Sequence, residues 1–343
     1  MRIAVIGAGA IGRTHIETIA AVDGFEPAGI ADPFDAAGAL AERFGTRHHR
    51  SHRELIERGR PDAAIIATPN ETHVEIALDF LAAGIPVLVE KPVATSAREA
   101  DALVAASEET GVPVLVGHHR RHHPAVRRAA DIVRSGGLGR IVAANTTYYL
   151  AKPADYFSID WHRTAGTGGV FLINLVHEID LLRYLVGEIV TVSALSSNAV
   201  RGLPVEDTGA LTFAFEGGAL GSLVITDAVS GPWSWDLTAG DSERFPRHPV
   251  DSHLIGGTQA SLTLPRVEVW SHEGDPDWTR QLRMRREPVA AENPYEAQLR
   301  HFGEVVSGHA EPLVSAREGQ RNVVVMEAVQ RAVVTRTAVD LPQ

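Results

Sequence analysis

Short apolar runs recur through the first third of the chain, each closed by glycine, proline or a polar residue. Arg2–Ile6, Phe25–Ala31, Ala63–Ala67, Ile85–Val89 and Val112–Val116 are mostly continuous rather than alternating. That is the pattern of strands covered on both faces. Between them the spacing is helical. Ile11, Ile16 and Ile19 mark a first helix, and Asp35–Phe44 a second, stopped by Gly45. Ser51-x-x-Glu54 is a capping box for a short helix. Asn70 can cap Glu71–Ala83, which Gly84 closes, and Ser96-x-x-Glu99 opens a helix that Gly111 ends. Strands alternating with helices predict a doubly wound parallel sheet over residues 1–122.

Beyond that point the period changes. After a helix at Pro124–Ser135, stopped by Gly136-Gly137, the runs Ile141–Leu150, Ile189–Leu195, Gly209–Phe215, Leu220–Thr226, Ser261–Leu264 and Val267–Trp270 read as strands with little helix between the later ones. Residues 123–343 are therefore expected to form an α+β domain with a large open, mostly antiparallel sheet. One helix, Phe171–Val186, interrupts the strands. Leu172, Leu175, Val176, Ile179 and Leu182 form its core-facing stripe, and Asn174, His177 and Asp180 lie along one flank. Gly166–Gly169 before it reads as flexible backbone, and the final helices, Pro294–Ser307 and Ser315–Val334, read as amphipathic and structural.

Composition narrows the picture. A length of 343 residues fits two or three domains, and 44% hydrophobic residues can bury a full core. No run approaches ~18 apolar residues, and no charged-then-apolar leader precedes Arg2, so a soluble cytoplasmic protein is expected. The absence of Cys excludes disulfides, thiolate catalysis and Cys-ligated zinc. A net charge of -11 argues against bulk nucleic-acid binding. No membrane, nucleic-acid or metal partner is expected.

The chemistry begins at Gly7-Ala8-Gly9-Ala10-Ile11-Gly12, a G-x-G-x-x-G run between the first strand and the first helix. Gly7 makes the tight turn, Gly9 admits a pyrophosphate to the backbone, and Gly12 lets helix and strand pack closely. The helix N-terminus offers free N–H groups to phosphate. Asp32 ends the second strand, where an acid accepts hydrogen bonds from an adenosine ribose and repels a 2′-phosphate. NAD(H) is read over NADP(H). Each later strand ends on this same side, at Thr68-Pro69-Asn70, Glu90-Lys91-Pro92 and Gly117–His119. An acid, an ammonium and a proline thus arrive together at the edge where open α/β sheets bind ligands.

His118-His119-Arg120-Arg121-His122-His123-Pro124 is the densest basic stretch. Helical i,i+4 pairing of its histidines would suit a metal, but a preceding strand and Pro124 argue for a loop, and no carboxylate stands within it. A solvated inter-domain turn and a lining for a polyhydroxylated or anionic substrate both remain. Tyr149, Lys152, Trp161, His162 and Arg163 can stack on or hydrogen-bond a sugar ring or carboxylate, or serve as ordinary loop aromatics and surface cations. Pro232-Trp233-Ser234-Trp235 reads as packing or interface before ligand.

Taken together, Gly-Ala-Gly-Ala-Ile-Gly at 7–12, Thr-Pro-Asn at 68–70, Glu-Lys-Pro at 90–92, and Gly168-Gly169 through His177-x-x-Asp180-Leu-Leu-Arg-Tyr resemble the glucose–fructose oxidoreductase/inositol dehydrogenase (Gfo/Idh/MocA) family over essentially the whole chain. The resemblance implies a Rossmann domain over 1–122 and a substrate and oligomerisation domain over 123–343, whose sheet joins a homodimer or homotetramer. It implies that Lys91 sits at the substrate hydroxyl, often before a cis proline, that Glu90 lies near the nicotinamide ribose, and that His177 exchanges the proton. Part of the Gly-x-x-Arg-Arg run is implied to face the pocket, making Arg120 a substrate candidate. One position departs from the pattern. Many members carry Asp four residues before the histidine, where this chain has Ile173, and Asn174 stands three before it. Asn can orient a histidine but brings no charge, which shifts weight to Lys91 and weakens the case for an inositol.

The expected cofactor set is Gly7, Gly9, Ala10, Ile11, Gly12, Asp32, Thr68, Pro69, Asn70, His73 and Glu90. The expected substrate set is Lys91, Arg120, Tyr149, Trp161, His162, Arg163, Asn174 and His177, with Lys91 and His177 catalytic. The expected reaction is NAD(H)-dependent oxidation of a secondary alcohol on a sugar, sugar acid or cyclic polyol to a ketone, or its reverse. Redox of a dihydrodiol, imine or enone, and a non-catalytic dinucleotide-binding regulator, stand as alternatives.

Overall fold

A computed structural model describes residues 1–342. The elements run β1 (Arg2–Ile6), α1 (Ala10–Ala21), β2 (Glu26–Ala31), α2 (Ala36–Arg43), β3 (His48–His49), α3 (His52–Gly59), β4 (Ala63–Ile66), α4 (His73–Ala82), β5 (Val87–Val89), α5 (Ala97–Thr110) and β6 (Val114–Val116). They continue with α6 (Pro124–Arg134), β7 (Ile141–Tyr149), α7 (Asp160–Arg163), α8 (Val176–Val186), β8 (Ile189–Ser197), β9 (Thr208–Phe215), β10 (Leu220–Thr226) and α9 (Trp235–Thr238). The chain closes with β11 (His253–Gly257), β12 (Ala260–Leu264), β13 (Glu268–Ser271), β14 (Arg283–Arg286), α10 (Pro294–Val306), α11 (Ala316–Thr335) and β15 (Val339–Asp340). Among the described residues no helix is long and apolar enough to cross a membrane.

Two compact units result. The first is Met1–His122 with Asn293–Val324, and the second is His123–Glu292 with the residues after Val324. A single boundary at 122/123 omits this return of the chain. The reason for the return is apolar: Leu299, Phe302, Val314 and Ala316 are buried in the core of the first sheet, where they leave water with the strands they cover.

The first unit is a six-stranded sheet in the order β3-β2-β1-β4-β5-β6, parallel throughout. The order reverses between β1 and β4, and ligands of such sheets bind beyond the carboxyl ends at that point. Ala63–Ile66, Val87–Val89 and Val114–Val116 are buried along their whole length, which accounts for their unbroken apolar runs. Ser51 and Ser96 cap their helices by accepting from the Glu54 and Glu99 N–H groups. Asn70 does not cap. It opens a 3₁₀ turn, Asn70–Thr72, and α4 begins at His73. The cause is Thr72, whose hydroxyl lies 2.7 Å from Thr68 Oγ1 and 2.8 Å from the Pro69 carbonyl, tightening the turn.

The second unit is a nine-stranded sheet, β14-β13-β12-β11-β7-β10-β9-β8-β15. Every pairing is antiparallel except β7 with β10. On one face Leu211, Phe213, Phe215 and Leu223 pack with Val176, Ile179 and Leu182 of α8. The other face leaves Leu195, Leu220 and Leu254 exposed. β14 is an exposed edge strand of Arg, Met and Arg, so no hydrophobic alternation announces it.

Candidate functional site

The glycine motif turns as its spacing requires. Gly7 has φ +95°, and a Cβ there would lie 2.5 Å from the Ala67 carbonyl oxygen. A Cβ on Gly12 would lie 1.9 Å from the Gly7 oxygen, whereas one on Gly9 would meet nothing within 4 Å. Two glycines thus close the strand–helix contact and the third faces open space. α1 begins behind Gly9 with no side-chain cap and no acid in its first turn, so the amides near Ala10 and Ile11 keep their capacity for an anion. Asp32 steadies the loop: Oδ2 accepts from the Ala8 N–H at 2.8 Å and Oδ1 from the Phe34 N–H at 2.9 Å. Each carboxylate oxygen has a second lone pair, so both can still accept from a ribose hydroxyl.

The next strand ends are tied to one another. His73 is buried, with Nδ1 2.9 Å from the Pro92 carbonyl and Nε2 2.9 Å from that of Thr68. Burial lowers its pKa despite these carbonyls, so the neutral ring donates to one of the two at a time. It links the Thr68-Pro69-Asn70 turn to the segment after Lys91, whose bond to Pro92 is cis. Glu90 is buried and clamped on both oxygens. Oε1 lies 2.8 Å from His15 Nε2, and Oε2 accepts from the Lys91 N–H at 3.2 Å. Burial opposes its ionisation, yet the hydrogen bond and charge of His15, aided by Lys91, hold the carboxyl below its usual range. Gly117 makes room for it, since a Cβ there would come within 2.9 Å of the Glu90 carboxyl.

His15 and Tyr295 escape sequence reasoning. Tyr295 stacks on His119 at 4.4 Å between centroids and meets the His15 ring edge-on at 5.9 Å. His15 sits one turn past Ile11 on the helix that carries the glycine motif, which is the one local signal for it; Tyr295 has none. The basic stretch is neither an extended loop nor solvated. It winds into a 3₁₀ turn, His119–His122, with Arg120, Arg121 and His122 buried. Arg121 pairs with Glu318 at 3.1 Å, and Asn322 Nδ2 lies 3.1 Å from His118 Nε2. Burial, with Arg120 and Lys91 nearby, pushes His119 well below its ordinary pKa, so its ring is neutral.

In the second unit the helix carrying His177 does not start as a regular α-helix. Phe171–Leu175 form a π turn before α8. Gly168 and Gly169 before it are packed tightly, not left as a flexible hinge. A Cβ on Gly168 would lie 2.2 Å from the His162 carbonyl oxygen, and one on Gly169, at φ +93°, 2.5 Å from Glu206 Oε1. Glu206 then accepts from the Phe171 N–H at 2.8 Å, and burial raises its pKa. Asn174 and His177 are both buried. Both ends of the Asn174 amide are engaged: Lys152 Nζ donates to Oδ1 at 2.8 Å, and Nδ2 donates to the Tyr148 hydroxyl at 2.7 Å.

The remaining candidates divide. His162 is buried, stacked on Tyr156 at 3.7 Å, with Nδ1 2.6 Å from the Tyr156 carbonyl. Trp161 and Arg163 are exposed, and Arg163 pairs with Asp160. Tyr149 meets Trp233 edge-on. Trp235 is core, its Nε1 donating to Asp241 at 2.6 Å.

Comparison with known proteins bears on the family and the fold. Residues 1–118 match the family model described as oxidoreductase family, NAD-binding Rossmann fold, and residues 126–244 match the Gfo/Idh/MocA C-terminal domain. The chain is 39% identical over 204 residues to inositol 2-dehydrogenase 2 of Saccharopolyspora erythraea, covering 57% of this chain and 56% of that one. It is 32% identical over 210 residues to the rhizopine catabolism protein MocA of Rhizobium meliloti, covering 59% and 64%. The matched part is thus less than two thirds of either relative's length. A levoglucosan dehydrogenase solved with NADH and levoglucosan shares the fold, with a TM-score of 0.84 over 100% of both chains at 24% identity. With two family models matching residues 1–118 and 126–244 in succession, the chain belongs to the Gfo/Idh/MocA oxidoreductase family, and residues 1–118 are that family's NAD-binding Rossmann fold.

Proposed function

We propose that this protein is an NAD-dependent dehydrogenase that interconverts a secondary alcohol of a sugar, sugar acid or cyclic polyol with its ketone. The observation that carries the reading is the clamp on Glu90. His15, one turn into the helix that begins at the glycine motif, holds the residue whose own carboxylate fixes the Lys91 backbone. One helix therefore ties a dinucleotide-binding turn to a lysine at the carboxyl edge of the sheet. The dehydrogenase names carried by relatives support the reaction class.

The residues present fit a dinucleotide. Gly7, Gly9, Ala10, Ile11 and Gly12 would hold its pyrophosphate, with Gly9 facing the open space it needs. Asp32 would take the adenosine ribose. Thr68, Pro69 and Asn70, tied down by His73, would line the next strand end, with Glu90 toward the nicotinamide ribose. Bound NAD supplies a hydride acceptor at its nicotinamide C4. The protein's part is proton transfer and charge. In alcohol oxidation the hydroxyl proton passes to the neutral amine of Lys91, shared with the neutral imidazole of His177, and the Lys91 ammonium so formed stabilises the developing alkoxide. Positioned proton transfer contributes ~10²–10⁴-fold, and a fixed cation at the alkoxide a comparable factor. Asn174 is held by Lys152 and Tyr148 and brings no charge to His177, so Lys91 carries the larger share. Arg120, Tyr149, Trp161, His162 and Arg163 are the candidates for stacking on or hydrogen-bonding the substrate, Trp161 and Arg163 being the exposed ones.

The exposed sheet face bearing Leu195, Leu220 and Leu254 is read as the contact with further copies of this chain, since an apolar face of that kind is unusual on a monomer. Leu220→Asp should shift the mass in light scattering toward the monomer; an unshifted mass rejects that face. The reaction is tested by following NAD reduction across polyols, sugars and sugar acids. Turnover on at least one of them is expected. NADH binding with no turnover on any would instead favour a cofactor-binding regulator.

A further inference from the structure

Lys152 follows β7 in the second unit, and its side chain is 7% exposed. A buried ammonium is costly unless it is paired and hydrogen-bonded. Its ion partner is shared. Lys152 Nζ lies 3.3 Å from Asp227 Oδ2, while Asp227 Oδ1 accepts from Arg201 Nε at 2.9 Å. Arg201 also donates to the Lys152 carbonyl at 3.0 Å. Two cations thus divide one carboxylate. Burial lowers the Lys152 pKa, and Asp227 only partly opposes it. A methionine or leucine would fill this volume without that cost, so the charge calls for a use beyond packing.

Its third contact supplies one. Nζ donates to Asn174 Oδ1 at 2.8 Å. Asn174 Nδ2 donates to the Tyr148 hydroxyl at 2.7 Å, and Tyr148 donates to Asp236 Oδ2 at 2.8 Å. A chain of polar contacts, anchored at Asp236 and Asp227, therefore passes through the Asn174 side chain within the π turn Phe171–Leu175. A π turn carries one residue more than an α turn. With 3.6 residues per α-helical turn, closing it to α would rotate the helix beyond it by about 100°. His177 stands two residues past the end of this turn.

We infer that Lys152 is a positioning residue: through Asn174 it holds the π turn open in the register that aims His177. The inference rests on the proton-transfer role proposed for His177. Lys152→Met removes the donors at nearly constant volume. It should lower kcat about tenfold or more, change KM for NAD by less than about twofold, and speed amide hydrogen exchange at residues 171–177 about tenfold. Lys152→Arg can still donate to both Asn174 and Asp227 and should restore most of kcat. A thermal melt checks folding. Should Lys152→Met not fold, Asn174→Ala removes the other half of the bridge and must show the same fast exchange while binding NADH. Wild-type exchange at 171–177 in either folded variant overturns the inference, as does a loss of kcat that Lys152→Arg leaves unrepaired. A wild-type enzyme inactive on every polyol, sugar and sugar acid would count against the dehydrogenase reading alone, because hydrogen exchange needs no substrate.

Discussion

On the proposed reading, cofactor choice turns on Asp32. Its carboxylate holds the Ala8 and Phe34 amides and keeps lone pairs for a ribose, and its charge disfavours a 2′-phosphate. Asp32→Ser retains a short acceptor but no charge. The ratio of kcat/KM for NAD over NADP should fall about tenfold or more; an unchanged ratio would refute the role. At this scale, legibility goes with sequence distance. Gly7, Gly9, Gly12, Asp32 and Lys91 are readable because a strand end and a short motif define their surroundings. His15 is not, since its partner Glu90 lies 75 residues away. Tyr295 and Lys152 take their meaning from a ring and a carboxylate at least as remote in sequence.

The β1–α1 turn shows how one motif divides its labour. A Cβ on Gly12 would drive into the Gly7 carbonyl, while one on Gly9 would enter open space at φ -68°. Gly12→Ala should therefore destabilise the first unit by several kcal/mol, as overpacking against fixed backbone does. Gly9→Ala should leave the melting temperature within a few degrees of wild type and weaken NADH binding by about tenfold or more. Equal effects of the two on melting would contradict this division. Helices announced by serine caps and glycine stops are legible, since those signals are local. The π turn is not, because the contacts that hold it come from β7, the segment after it, and the Glu206 loop. Nor are β3 and β14, a two-residue strand and an exposed edge strand with little apolar face to show.

Over the whole molecule, composition speaks to class, and the period change near residue 122 to two architectures. The return of Asn293–Val324 to the first unit has no sequence mark, because an amphipathic helix does not say which core it covers. Burial sets the acid response of the first unit. It lowers the pKa of His49, His73 and His301 and pushes His119 well down. A histidine depressed in the folded state contributes stability above its unfolded value near 6.5, and loses it as pH falls through the folded value. The melting temperature should therefore drop between about pH 7 and about pH 5, and His119→Phe, which keeps a ring against Tyr295, should flatten that slope. A wild-type melting temperature constant over this range would count against buried neutral histidines. Hydride chemistry assisted by Lys91 and His177 stands or falls on kcat for Lys91→Ala and His177→Ala with the best substrate, beside NADH affinity measured by fluorescence. The expected result is a loss of ~10²-fold or more in each, with NADH affinity within about twofold of wild type. Near-wild-type turnover in both variants would contradict that chemistry.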